Sequence, residues 1–206
     1  MKIIVGISGA SGVIYGLRLC EELLKTKNIE VYLIISDAGK KVLQYEINEF
    51  KISQYNEIFS NQIFDYFKSR KLSTDNLFVL ENDKIDSKIA SGSFITDGMI
   101  ILPCSMATVA ATANGISNNL IQRAADVIIK EKRKLVLSPR EMPFNQIHLE
   151  NLLKLSKIGV DIVVPTPGFY HNPTTVEDMI DHVVGKILDL FKINHSLYNR
   201  WQGGDS

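Results

Sequence analysis

Five short apolar runs recur along the chain: IIVGI at 3–7, VYLII at 31–35, GMIIL at 98–102, KLVLS at 134–138 and DIVVP at 161–165. Nearly continuous, β-branched runs of this length suit strands covered on both faces, whereas a half-exposed strand alternates apolar with polar residues. Between them lie stretches with apolar residues at helical spacing: YGLRLCEELLKT, NNLIQRAADVIIKEK, IHLENLLKLSK and VEDMIDHVVGKILDLF. Strand and helix in repeated alternation predict an α/β fold, an open, doubly wound, mainly parallel sheet with helices on both faces. Residues 48 to 90 are more polar; NEIFSNQIFDYFKSRK reads as a helix, LFVLEN as an extra strand, and the region is expected to cover an edge of the sheet. Sheets of this kind bind ligands beyond the carboxyl ends of their strands. The loops after residues 7, 35, 102, 138 and 165 are therefore expected to share one rim.

With 206 residues, 45% of them hydrophobic, the chain suits a single domain over 1–206, and residues 196–206 read as a partly ordered tail that frays after Trp201. Lysine plus arginine and aspartate plus glutamate number 23 each, so no net field draws the protein to nucleic acid or to an anionic membrane. Any anion must be held by local geometry. Two cysteines, Cys20 and Cys104, make no disulfide framework and have no metal-ligand spacing, which fits a reduced, cytoplasmic setting. The start MKIIVGI is too short for a secretory apolar region, and no run approaches the ~20 residues of a membrane span. A soluble protein is expected.

The loops carry the candidate chemistry. GISGASG at 6–12 lets the backbone turn sharply and presents amides at a helix start, an anion-binding arrangement. It matches neither the dinucleotide fingerprint, since Ser8 stands where glycine is needed, nor a phosphate-binding P-loop, since no G-K-[ST] follows. Either it holds a mononucleotide phosphate, or Gly9, Ser11 and Gly12 merely cap and pack the first helix. The second strand ends in Ser36-Asp37. After Pro103-Cys104, Ser105 can cap the next helix with Thr108 one turn on, while Cys104 reads as buried filler. In SPREMP at 138–143, Arg140 offers a planar fork for phosphate, and Glu141 can shuttle a proton if burial favours its protonated form; the alternative is a surface ion pair. PTPGFYHNP at 165–173 fixes two aromatic rings between prolines. Packing against the last helix accounts better for Phe169 than for Tyr170.

Three features point elsewhere. Asp178 and Asp181 have the look of a magnesium pair, but they stand in the first turns of a helix after Thr175, where capping explains them. His148, His171, His182 and His195 have no ligand spacing, so each reads as a structural histidine and no metal site is expected. The KEKRK run at 130–134 reads as a solvated helix end, although Arg123 and Lys130 are seven apart and can share a face.

Taken together, GISGASG, SGSFITDGMIILPCSMAT, NNLIQRAADVIIKEKRKLVLSPREMPF, HLENLLKLS, PGFYHNPTTVEDMID and the late RW resemble the flavin prenyltransferases of the UbiX type, from the first strand to Trp201 and most weakly over 48–85. The resemblance implies a Rossmann-like, cytoplasmic flavoprotein that joins a dimethylallyl group from dimethylallyl monophosphate to N5 and C6 of reduced FMN. The product, prenylated FMN, is the cofactor of a UbiD-type decarboxylase. By the same resemblance, FMN is held by Gly9, Ala10, Ser11, Ser36, Ser105, Met106, Ala107, Thr108 and Arg140. The donor is bound by Tyr170 and Lys186, with Arg123, Lys130 and Arg140 near its phosphate; Glu141, Glu46, Lys130 and Trp201 match catalytic positions. Where many members carry arginine this chain has Lys186, which keeps the charge and loses the fork. A homododecamer with sites completed by neighbouring subunits is implied as well. Two other readings stay open, an FMN-dependent decarboxylase acting on cysteine groups and a flavin carrier without catalysis. The histidine and asparagine signature of the former has no clear counterpart here.

Overall fold

The computed structural model describes residues 1–50, 59–201 and 203. The chain forms two compact units, Met1–Val164 and Pro165–Ser206.

All strands of the described residues belong to the first unit. They are β1 (Lys2–Ile7), β2 (Glu30–Ile35), β3 (Leu77–Glu81), β4 (Gly98–Cys104), β5 (Lys134–Pro139) and β6 (Asp161–Ile162), ordered β3-β2-β1-β4-β5-β6 and parallel throughout. The helices of this unit are α1 (Val13–Lys25), α2 (Asp37–Glu46), α3 (Phe59–Ser69), α4 (Met106–Ala113), α5 (Leu120–Lys130) and α6 (Gln146–Lys157). β4 is buried along its whole length and β1 at every residue after Lys2, which is why their sequences run apolar without alternation. On one face Ile4, Ile34, Met99, Ile101, Leu135 and Leu137 pack with Val109 of α4, Ile121, Ala124 and Ile128 of α5, and Leu155 of α6. The alternate positions Val5, Ile7, Leu33, Ile100 and Leu102, also buried, point to the other face by the two-residue repeat of a strand. There α1 lies so close that a Cβ on Gly16 would sit 2.3 Å from the Leu102 carbonyl oxygen.

Strand order reverses between β1 and β4, and the chain after each strand leaves in opposite directions, opening a crevice at their carboxyl ends. The expected extra strand is β3, an edge strand paired with β2, and the expected helix before it in the polar stretch is present over Phe59–Ser69, with residues 56–58 outside the described set. One expectation changes, and one helix is present that the sequence pattern does not announce. DIVVP forms a strand only over Asp161–Ile162, with one further bond from Val163 N to Leu137 O; it is an edge, and Pro165 and Pro167 have no N–H to continue a ladder. The chain after Ser36 is a full helix, α2. Its apolar signal is weak because Gly39 and Leu43 are its buried residues.

The second unit is built on α7 (Val176–Leu190), opened by a capping box in which Thr175 Oγ1 accepts from Asp178 N at 3.1 Å. The Asp178 carboxylate accepts from Thr174 N, Thr174 Oγ1 and Thr175 N at 2.8–3.1 Å. Those backbone donors hold its pKa at about 2, and the capping explanation of this aspartate is borne out.

Candidate active site

The β1–β4 crevice is built around one buried hydroxyl. Ser8, only 2% exposed, donates from Oγ to the Pro103 carbonyl at 3.2 Å and accepts from Ser105 N at 2.7 Å, while its own N–H reaches the same carbonyl at 3.1 Å. This serine, which breaks the dinucleotide spacing, therefore ties the turn after β1 to the turn after β4. Gly9 follows because α2 crosses it: a Cβ there would lie 2.4 Å from that of Ala38. Gly12 has φ +97°, a left-handed conformation that favours glycine.

Three helices begin at this rim with different caps. At α1 the Gly12 and Val13 amides donate to the Glu46 carboxylate at 2.9–3.1 Å. The expected anion site at this helix start is thus filled by the chain's own carboxylate, a correction to the reading of GISGASG as a set of open amides through Gly12. At α2, Ser36 Oγ accepts from Gly39 N at 3.0 Å. At α4, Ser105 Oγ accepts from Thr108 N at 3.3 Å and lies 3.0 Å from Thr108 Oγ1, as expected of a cap with a hydroxyl one turn on. The first turn of α4 holds no acidic residue, so its dipole is open to an anion. Ser138 Oγ, at the end of β5 and fully buried, has no hydrogen-bond partner among the described residues, an arrangement that a bound ligand or water relieves. Hydroxyl caps, close-packed glycines and an orphaned hydroxyl at the strand ends are a donor set that fits a flavin mononucleotide.

Arg140 enters the rim through its backbone, with N donating to Cys104 O at 3.1 Å. Cys104 is buried filler; burial pushes its thiol well above the ordinary range. Glu141 is exposed and accepts from Met142 N at 3.1 Å, and Met142 is 86% exposed. The burial on which a proton-shuttling Glu141 depends is absent from the single chain. Arg123 donates to Ala90 O and to Asp126. Lys130 pairs with Glu131 at the end of α5, just before β5 begins. In a parallel sheet that is the amino edge, so one chain does not bring Lys130 to the rim formed by Gly9, Ser36, Ser105 and Arg140.

In the second unit Tyr170, Lys186 and Trp201 are exposed. Tyr170 packs on α7, its hydroxyl 3.0 Å from His182 Nε2 and its ring edge-on to Trp201 at 6.2 Å, while Phe169 is 68% exposed. The expectation that packing on the last helix explains Phe169 better than Tyr170 is reversed, because His182 supplies a polar partner that the apolar periodicity of α7 conceals. The segment before Trp201 is anchored through Asp189, which accepts from Tyr198 OH at 2.7 Å and Arg200 Nη1 at 3.0 Å and lies 3.1 Å from His195 Nε2. Arg200, the largest influence, holds the Asp189 carboxyl well below the ordinary range. Burial and then Asp189 push Tyr198 up to about 12. Fraying beyond Trp201 falls almost wholly outside the described residues. Ser8 and Asp189 are structural supports that residue type alone does not single out, the departure from G-x-G at position 8 being the one available signal, whereas His182 has the structural place expected of it.

The Flavoprotein family model matches residues 1–201. Flavin prenyltransferase UbiX of Methanocaldococcus jannaschii is 48% identical over 201 residues, 98% of either chain. Among solved structures, the dodecameric FMN-dependent UbiX-like decarboxylase of Escherichia coli O157:H7 has a TM-score of 0.85 at 41% identity, covering 98% of this chain and 100% of that one. AnUbiX (PadA1) in complex with FMN and dimethylallyl pyrophosphate has a TM-score of 0.84 at 36% identity, covering 99% and 98%.

Two outcomes follow from this geometry. Ser8→Ala leaves the part-buried Ser105 amide without its acceptor and is expected to cost about 1–3 kcal/mol, read by denaturant unfolding; unchanged stability removes the clasp. Asp189→Asn is expected to release the segment before Trp201, the chain's single tryptophan, with a red shift and lower anisotropy of its fluorescence. Because the folded-state pKa of Asp189 is depressed, its contribution is full above the ordinary carboxylate value of about 3.9 and is lost as pH falls below it. Wild-type tryptophan emission is therefore expected to hold at pH 5 and to change only on further acidification.

Proposed function

Because the chain belongs to the UbiX-type flavin prenyltransferases of the Flavoprotein family, we propose that it transfers a dimethylallyl group from dimethylallyl monophosphate to N5 and C6 of reduced FMN. The prenylated FMN so formed serves a UbiD-type decarboxylase. The observation that carries this reading is the set of hydroxyl-capped helix starts gathered at the β1–β4 crevice in a chain similar to flavin prenyltransferases over nearly its whole length.

Within this reading Ser36, Ser105, Met106, Ala107 and Thr108 hold FMN through the starts of α2 and α4, with Gly9, Ala10 and Ser11 admitting it closely and Arg140 beside it. When bound, reduced flavin supplies the electron-rich positions that take the alkyl group. The chain's residues act on the donor. As its C–O bond breaks, charge gathers on the phosphate, and fixed cations, Arg140, Lys186, Lys130 and Arg123, offset it. Tyr170 binds the same phosphate, Glu141 supplies a proton to it, and Trp201 offers a π face to the allylic cation. Glu46 supports the first turn by capping α1.

The exposure of Glu141 and Met142 and the position of Lys130 at the opposite edge favour a homo-oligomer, a dodecamer on the family pattern, in which a neighbouring copy covers Glu141 and brings its own Lys130. No helix of the described residues is long and apolar enough to cross a membrane, and a cytoplasmic location is part of the reading.

Incubation of the purified protein with reduced FMN and dimethylallyl monophosphate, followed by flavin mass measurement, is expected to show one added prenyl unit over many turnovers. Flavin of unchanged mass overturns the reading in favour of a carrier or a decarboxylase, and the same assay with the diphosphate fixes the donor. Glu141→Gln is expected to slow product formation by about 100-fold or more with FMN binding retained; wild-type turnover removes the acid role.

A further inference from the structure

The second unit contains a buried imidazole whose hydrogen bonds define what the Tyr170 hydroxyl can do. His182, 6% exposed on α7, stands between two partners: Gly168 N donates to Nδ1 at 3.2 Å, and Tyr170 Oη lies 3.0 Å from Nε2. A ring nitrogen that accepts an N–H carries no proton of its own, so the neutral imidazole has its hydrogen on Nε2. That N–H donates to the tyrosine oxygen. The phenolic hydrogen is then not used by His182 and can be given to another acceptor.

The surroundings keep the ring neutral. His171 stacks on it with centroids 4.7 Å apart and planes 7° from parallel, and both nitrogens of His171 are buried without a hydrogen-bond partner among the described residues. Tyr198 packs on the same ring at 4.9 Å, and Lys186 follows one turn later on α7. Burial first, then the charges of His171 and Lys186, hold the pKa of His182 below the ordinary histidine value. Protonation at Nδ1 would also set two N–H groups against each other at Gly168.

We propose that His182 is a positioning residue that fixes the Tyr170 hydroxyl as a hydrogen-bond donor toward an oxygen of the prenyl donor's phosphate. With the opposite ring tautomer the tyrosine would spend its proton on the histidine and offer the phosphate only lone pairs, which repel it. The inference rests on the reading above that Tyr170 binds this phosphate. It adds a second layer: the direction of that hydrogen bond is set by the Gly168 backbone through the imidazole.

Steady-state kinetics on the full-length, FMN-loaded protein test it. His182→Phe keeps a ring and removes both nitrogens; it is expected to lower kcat/KM for dimethylallyl monophosphate roughly tenfold, the loss of one hydrogen bond to a charged group, with FMN affinity unchanged. His182→Gln, whose amide can donate where Nε2–H did, is expected to recover most of that loss. Added to Tyr170→Phe, His182→Phe is expected to have no further effect. The proposal is overturned if His182→Phe changes nothing, if its effect is undiminished beside Tyr170→Phe, or if His182→Gln is no better than His182→Phe. Should His182→Phe fail to fold, His182→Asn, long enough for the Gly168 amide and too short for Tyr170, takes its place with the same expectations. Tyr170→Phe alone reports on the underlying reading: if it leaves kcat/KM for the donor unchanged, the phosphate role of Tyr170 fails, and that failure is distinct from additivity between the two substitutions.

Discussion

The rim of this fold depends on a single buried hydroxyl placed where the sheet changes direction. At the β1–β4 switch two chain segments leave neighbouring strands in opposite directions, and their polar backbone groups face a space that neither helix fills. Ser8 closes this gap by giving its proton to the Pro103 carbonyl and taking one from the Ser105 amide. A side chain without this pair of bonds would leave the part-buried Ser105 amide without an acceptor, while the Pro103 carbonyl would keep only the Ser8 N–H. The position of Ser105, and through it the start of α4, follows from this bond.

Electrostatics then divide the labour among the helix starts. Each of α1, α2 and α4 presents a partial positive charge to the rim. Glu46 takes the end of α1, so the turn after β1 acts as a closely packed floor beneath α2, where Ala38 forbids a side chain on Gly9. The start of α2 has a neutral hydroxyl cap but carries Asp37 in its first turn, whereas the start of α4 has a neutral hydroxyl cap and no carboxylate in its first turn. Anion-binding capacity is thereby shifted away from the glycine-rich turn that first draws attention. In the second unit the same economy recurs with Asp189, whose carboxylate gathers Tyr198, His195 and Arg200 and so holds the segment ahead of Trp201.

Much of this was legible. β1, β2, β4 and β5 announce themselves because burial on both faces leaves no room for polar residues, and α1, α5, α6 and α7 because one buried stripe imposes a period near 3.6. The Ser105 cap and the Thr175–Asp178 cap were readable as short-range patterns. The helix over Asp37–Glu46 was not, since two buried positions make too faint a stripe, and the sixth strand was overestimated because proline ended it early. Tyr170 and Phe169 have nearly the same neighbours in sequence, and what separates them is a histidine 12 residues on from Tyr170.

The sequence by itself determined the alternation of strand and helix, hence the parallel sheet and the edge on which a ligand belongs, because burial periodicity is a local property of the chain. The order of motifs along it was enough to identify the family. Only the tertiary structure decided how those motifs are used. That Glu46 occupies the start of α1, that Ser8 joins two turns 97 residues apart, and that Lys130 stands at the edge opposite the rim are all consequences of distant segments meeting. A hydrogen bond between residues far apart in sequence leaves no period to read: donor and acceptor become partners only when the fold brings them within three ångströms.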